Sequence, residues 1–273
     1  MFMEKMEKIR CYEDTEKLWK ENGRLKKAIE ASVAGTRFYA EGETPNLPAP
    51  RYDTTDVSVQ NRRTFDTAMA YHRKYPSARI AAHNFASARD DDGDILPYSM
   101  AQEGALCRIS TLLPVLARDG KWQRRYASQW ELENLFFTDD CLYTPGILIV
   151  KTDEDRPTRL PATEWTEVDV LTCAAPIIDF RLFKSLSEED IFAIHKQRGR
   201  HILSIAAANA ADILILGACG CGPFHNPPEI VAEAYHDLLQ DFRGQFREVV
   251  FAIYYAPWGP EIYDAFMKVF DGR

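Results

Sequence analysis

The chain has 273 residues, 46% of them hydrophobic and 12% aromatic, with a formal charge of -8 and a pI near 5.4. It has no apolar run of about 18 residues, so no membrane-spanning helix is expected. An acidic balance argues against a nonspecific nucleic-acid binder, which carries a basic face, but leaves room for a nucleotide held by backbone amides.

Residues 4–33 are charged and place Leu18, Leu25, Ile29 and Val33 at helical spacing, which predicts one or two helices. A proline-rich connector covers 40–51. Next come a strand at 56–59, a helix over 61–74 and a strand at 78–83. A helix over 102–116 carries Leu106, Ile109, Leu112 and Leu113. Strands are expected at 146–151 and 168–173, separated by a polar surface excursion over 152–166. Ser187-Glu188-Glu189-Asp190 is an N-cap signature with acids in the first turn, and it opens a helix reaching about Asn209. Ile213–Leu216 is wholly apolar, as a buried central strand would be. A helix over 229–241, a strand over 249–254 and a helix over 260–269 close the chain. Strands alternating with helices predict an α/β sandwich with a mixed or mostly parallel central sheet. The expected division is an N-terminal helical extension and connector over 1–50, then the main body over 51–273, integrated as one domain.

The six cysteines, at 11, 107, 141, 173, 219 and 221, do not form a disulfide framework. Reduced thiols, with Cys107, Cys173 and Cys219 in apolar surroundings, fit a cytosolic-type protein. The charged start, Met1-Phe2-Met3-Glu4-Lys5, is unlike a signal peptide. A cytoplasmic location is expected, or delivery into a host cytosol by a specialised export system.

Two loops carry chemistry. The first follows the strand ending near His83: Asn84-Phe85-Ala86-Ser87-Ala88-Arg89-Asp90-Asp91-Asp92-Gly93-Asp94, with Gln102-Glu103-Gly104 opening the next helix. Crowded carboxylates repel one another, so they belong to a solvated loop or to a site that uses them. The second is Gly217-Ala218-Cys219-Gly220-Cys221-Gly222-Pro223-Phe224-His225-Asn226, between a buried strand and a helix. Glycines let the backbone amides approach a ligand, and a helix N-terminus adds positive potential, so this loop suits a diphosphate. Cys219-Gly220-Cys221 lacks zinc-ribbon spacing, and no resident metal is expected there. His83 and His225 flank the loops as structural residues, and Tyr254, Tyr255 and Trp258 could build an adenine wall but are expected to pack in the core.

Several segments together resemble the microbial type of poly(ADP-ribose) glycohydrolase, a branch of the macrodomain fold. They are residues 31–39, Asn84–Ala88, Ala101-Gln102-Glu103, Leu106–Leu112, Leu216–Asn226 and Phe246–Ala252. The resemblance implies a three-layer α/β/α fold that binds ADP-ribose. It implies ligand contacts from Asn84, Phe85, Ala86, Gly93, Gln102, Gly217, Gly220, Cys221, Gly222, Pro223, Phe224 and Asn226. The chain departs from the family pattern at two places. Asp92-Gly93-Asp94 stands where the family has three glycines. Gln102-Glu103-Gly104 stands where it has Gln-Glu-Glu, and the second glutamate is the family's general acid.

The expected function is therefore an ADP-ribosyl hydrolase with relocated acids, Asp92, Asp94 and Glu103, removing ADP-ribose from protein side chains such as arginine. The alternatives are an ADP-ribose reader and residual polymer glycohydrolase activity. No cofactor is required, although aspartates at 90, 92 and 94 offer hard oxygen ligands for Mg²⁺. ADP-ribose or ADP-ribosylated protein is the expected partner, with no membrane, no sequence-specific nucleic acid and a monomeric state.

Overall fold

A computed structural model describes residues 5–86, 99, 101–119, 138–178, 186–255 and 259–271. The expected sites Asp90, Asp91, Asp92, Gly93 and Asp94, and Trp258, lie outside the described residues.

Seven strands form one mixed sheet in the order β1-β4-β5-β3-β6-β7-β2. They are β1 Arg37–Tyr39, β2 Asp56–Gln60, β3 Ile80–Asn84, β4 Cys141–Ile149, β5 Thr166–Thr172, β6 Ile213–Leu216 and β7 Glu248–Ala252. β2, β7, β6, β3 and β5 pair in parallel, while β4 runs antiparallel to β5 and to β1. The described helices are α1 Lys5–Glu21, α2 Gly23–Gly35, α3 Thr64–Lys74, α4 Gln102–Ile109, α5 Leu112–Asp119, α6 Glu188–Ala208, α7 Pro228–Leu239 and α8 Glu261–Phe270.

Two apolar layers sandwich the sheet. On one face Ile29 of α2, Phe65 and Ala68 of α3, Leu106 and Ile109 of α4 and Leu112 of α5 pack on Ile80, Ala82, Val170 and Ile215. On the other, Ile202 and Ile205 of α6, Tyr235 and Leu238 of α7 and Phe266 of α8 pack on Ala81, Leu171, Leu214 and Phe251. The period-2 alternation of strand side chains produces this division: Ile80 and Ala82 face one layer and Ala81 the other. The result is the three-layer α/β/α arrangement expected from the sequence.

α6 starts where the sequence predicts. Ser187 and Asp190 form a reciprocal capping box, with Asp190 N to Ser187 Oγ at 3.1 Å and Ser187 N to Asp190 Oδ2 at 3.0 Å. The expected helix over 102–116 is two helices instead. Its apolar period continues through Ser110-Thr111, but Thr111 N is taken by Leu148 O at 3.1 Å and Ser110 bridges to Ile149. Sheet hydrogen bonding thus interrupts a pattern that local propensity would have continued. The strand expected at 146–151 begins earlier, at Cys141, and passes a register shift between Thr144 and Ile147. β1 was absent from the sequence reading.

Residues 152–166 are more than a surface excursion. Asp153 is buried, and its Oδ2 accepts hydrogen bonds from Phe65 N at 2.9 Å and Asp66 N at 3.3 Å. It caps α3 from 88 residues away, where the N-cap residue Arg63 makes no side-chain cap. The N-terminal helices are equally built in. Lys151 is buried, with its ammonium 2.8 Å from Asp14 and 2.7 Å from Cys11 O. Thr15 donates to Arg108 O across the α1–α4 contact, and Leu25 is fully buried.

Candidate functional site

β3, β6, β7, β2 and β5 run parallel, so their carboxyl ends lie along one edge of the sheet, where open α/β sheets place their ligands. Both chemistry-bearing loops leave from this edge: one from β3 at Asn84, its neighbour from β6 at Leu216.

Asn84 is fully buried at the end of β3. Its Nδ2 donates to Glu103 Oε1 at 2.9 Å and to Thr172 Oγ1 at 3.2 Å. Glu103, in the first turn of α4, is 2% exposed. The amide fixes the carboxylate in the protein interior, where a charge with less support would cost several kcal/mol, on the order of a buried unpaired ion. Asn84 Oδ1 is buried with no hydrogen-bond partner among the described residues, which leaves it able to accept from a hydroxyl group.

Gln102 is held at both ends of its amide. Its Oε1 accepts from Phe85 N at 2.9 Å, and its Nε2 donates to His83 O at 2.8 Å and Thr64 Oγ1 at 3.0 Å. The amide thus ties α4 to the end of β3 and to the start of α3. Phe85 packs edge-on against His83, with centroids 5.1 Å apart, and closes on Gly217. A Cβ at Gly217 would lie 2.6 Å from Phe85 Cζ and 3.1 Å from Ala252 O, so only glycine lets the two loops approach this closely.

The β6–α7 loop is folded by its own hydrogen bonds: Cys219 N to Gly217 O at 2.9 Å, Cys221 N to Ala218 O at 3.2 Å, His225 N to Gly222 O at 2.9 Å and Asn226 N to Gly220 O at 3.1 Å. Gly220 and His225 have positive φ, +80° and +58°. The N–H groups of Gly220, Gly222 and Phe224 make no hydrogen bond among the described residues. An irregular backbone presenting such N–H groups ahead of a helix N-terminus can bind an oxyanion. Asn226 is buried and serves the loop from within. Its Nδ2 donates to Pro176 O at 2.8 Å, Gly220 O at 2.9 Å and Phe224 O at 3.3 Å. Phe224 is partly buried against the core on the α4 face; Gly222 and Pro223 are exposed. Cys219 and Cys221 are buried, and burial pushes both thiols well above their usual pKa, which makes them poor nucleophiles and poor metal ligands. Ala86 is fully buried and ends the described part of the first loop.

A cavity of about 280 Å³ adjoins the site through Phe85, Gln102 and Ala218. Besides further residues of α4, its walls include Lys8 of α1, Arg62 and Arg63 before α3, Asp153 to Asp155, Ala252 at the end of β7 with Ile253 and Tyr254 after it, and Ile262 of α8. Apart from Tyr254, weighed as part of an adenine wall, none of these was a sequence-based candidate for the ligand site, since each is one residue or a short run with no local pattern. Tyr254 corrects the expectation of core packing: it is 38% exposed, and the Arg63 guanidinium lies 4.2 Å from its ring centroid.

Among sequence families, the catalytic domain of microbial-type PARG matches residues 7–152, more than half of the chain. Among solved structures, poly(ADP-ribose) glycohydrolase from Thermomonospora curvata is 28% identical with a TM-score of 0.76, over 89% of this chain and 89% of that one. The same enzyme bound to the inhibitor ADP-HPD is 29% identical with a TM-score of 0.75, over 89% and 88%. The glycohydrolase from Deinococcus radiodurans in complex with ADP-ribose is 28% identical with a TM-score of 0.74, over 89% and 97%. No curated protein matches the chain. By sequence and by fold, the chain belongs to the family of microbial-type poly(ADP-ribose) glycohydrolase catalytic domains.

Proposed function

We propose that this protein binds ADP-ribose and hydrolyses the bond joining C1″ of its distal ribose to a protein side chain, with arginine the preferred linkage. The observation that carries the reading is the buried Asn84–Glu103 pair, 2.9 Å apart, beside a glycine loop whose Gly220, Gly222 and Phe224 amides make no hydrogen bond among the described residues. The loop amides would hold the diphosphate. The cavity behind Phe85 would take the nucleoside. Asn84 Oδ1 would accept a hydrogen bond from a ribose hydroxyl.

Cleavage passes through an oxocarbenium-like state and needs a carboxylate to stabilise it or to activate water, together with a proton for the leaving group. Glu103 is the carboxylate. Gly104 supplies no second acid on α4. A ribose oxygen leaving from a polymer must be given a proton, whereas an ADP-ribosylated guanidinium already carries one and departs as neutral guanidine. This difference favours the arginine linkage. Asp92 and Asp94, close by in sequence, would attract the cationic substrate, while the attacking water gives its hydroxyl to C1″ and its proton to the departing guanidine, which ends as guanidinium.

A second reading, cleavage of ribose–ribose bonds in the polymer, is favoured by membership of the family and by the likeness to poly(ADP-ribose) glycohydrolases. A panel of arginine-, serine- and glutamate-linked ADP-ribosylated proteins, run beside poly(ADP-ribose), separates the two. Release from the arginine-linked substrate supports the first reading. Consumption of polymer alone replaces it with the second. Binding of ADP-ribose without release from any substrate makes the protein a reader.

A further inference from the structure

α6 crosses behind the glycine loop, and two of its buried polar side chains reach the sheet edge. Arg198 pairs with Asp139 at 2.8 Å and donates to Ala174 O at 2.8 Å. One turn earlier, His195 is 3% exposed, with its Nε2 2.6 Å from Asn226 Oδ1. The Asn226 amide nitrogen faces the carbonyls of Pro176, Gly220 and Phe224, so its oxygen is the atom turned toward His195. An amide oxygen only accepts, so His195 Nε2 carries the hydrogen. Burial holds the ring neutral, with its pKa lowered to about 4, so that hydrogen is the ring's single N–H proton.

The chain of contacts therefore runs from His195 through one carboxamide to three carbonyls, two of them in the glycine loop and one in the segment after β5. Gly220 is the most constrained of the three. It sits at φ +80°, and a Cβ there would collide with the Asn226 amide. The orientation of this amide decides where the Gly220 carbonyl points, and so where the N–H groups of the neighbouring peptides face.

We propose that His195 is a positioning residue for the anion-binding loop: its Nε2–H locks the Asn226 carboxamide in the one orientation that holds the Pro176, Gly220 and Phe224 carbonyls together. The consequence for ligand affinity rests on the reading that this loop holds the diphosphate of ADP-ribose; the consequence for loop order does not.

The test uses His195→Phe, which keeps an aromatic ring of similar size without a donor, and His195→Gln, whose amide can donate to the same oxygen. Backbone hydrogen exchange is measured on the ligand-free proteins, and ADP-ribose affinity by calorimetry. Loss of one buried donor to a polar network predicts an effect of about tenfold. In H195F the amides of His225 and Asn226 should exchange about tenfold faster, with the amides of β6 unchanged, and ADP-ribose should bind about tenfold more weakly. H195Q should stay within about threefold of the parent on both measures. The proposal is overturned by unchanged loop exchange in H195F, by equal acceleration in β6 and the loop, or by H195Q as impaired as H195F. Should H195F not fold, H195Q alone decides, with loop protection retained or lost. A parent protein that binds no ADP-ribose would sink the proposed function, while the exchange measurements would still decide the role of His195.

Discussion

Asn84 at the end of β3 and Glu103 in the first turn of α4 meet at 2.9 Å inside the protein, 19 residues apart in sequence. A neutral amide there supports one carboxylate without competing for its charge. Replacing Glu103 by Gln keeps the shape and the hydrogen-bonding size but removes the charge. We expect release of ADP-ribose by Glu103→Gln to fall by about 10²–10⁴-fold, the usual worth of such a group. Calorimetry should show ADP-ribose binding within a few-fold of the parent. Activity surviving at parental levels would remove Glu103 from the reaction.

The same pair makes a sharper prediction for Asn84→Asp. Two carboxylates would then share one buried contact, and like charges at this distance cannot both ionise cheaply. One of the two takes up a proton well above the ordinary carboxylate range. The variant should melt well below the parent at pH 7.5 and recover part of the difference near pH 5. A melting temperature equal to the parent's at both pH values would mean that the pair is not buried as described.

The glycine loop offers an internal contrast. A methyl group at Gly220 meets the Asn226 amide at a positive φ, whereas among the described residues nothing lies within 4 Å of one at Gly222. Gly220→Ala should cost about 1–3 kcal/mol in denaturant unfolding, and Gly222→Ala should cost less than about 0.5 kcal/mol. Equal losses in the two variants would contradict the loop conformation.

Acid should weaken the fold through two buried rings. Burial lowers the pKa of His83 and of His195 to about 4, against an ordinary value of 6.5. Above pH 6.5 both rings are neutral folded or unfolded, and stability owes nothing to their titration. Below it the unfolded chain takes up protons that the folded chain refuses, so stability falls as the pH drops from 6.5 toward 4. Each ring accounts for up to about 3 kcal/mol of that loss. A urea-unfolding series at pH 7.5, 6.5, 5.5 and 4.5 checks the window. A flat profile down to pH 4.5 would show that neither ring is sealed from water.

Much of this architecture was legible because single segments declared themselves. Ile213–Leu216 is apolar at every position, and Ser187 with Asp190 writes a helix start into four residues. The glycine loop was legible for the same reason, since its glycines and the following helix are contiguous. What escaped was whatever depends on a distant partner. The break between α4 and α5 is dictated by Leu148 and Ile149 of β4, and the cap of α3 comes from Asp153. β1 is a three-residue edge strand, too short to show a period. Gln102 was read as a ligand contact from its motif; that its amide also fastens Phe85 N, His83 O and Thr64 Oγ1 was not legible there. Lys8, Arg63 and Tyr254 reach one cavity from opposite parts of the chain, and no spacing rule connects them.

β3 and β6 are adjacent strands with further strands on both sides, β5 and β4 beyond one and β7 and β2 beyond the other. Local opening in a sheet starts at its margins, and the interior strands exchange only when the whole domain opens. The two loops therefore hang from the part of the molecule that lets go last. Stretching, warming or trimming the chain at β1 or β2 should strip away the flanks while the span between the loops stays one strand spacing, about 4.8 Å. The grip on a ligand is in this sense a property of the sheet's midline, and it should fail in a single step rather than loosen by degrees.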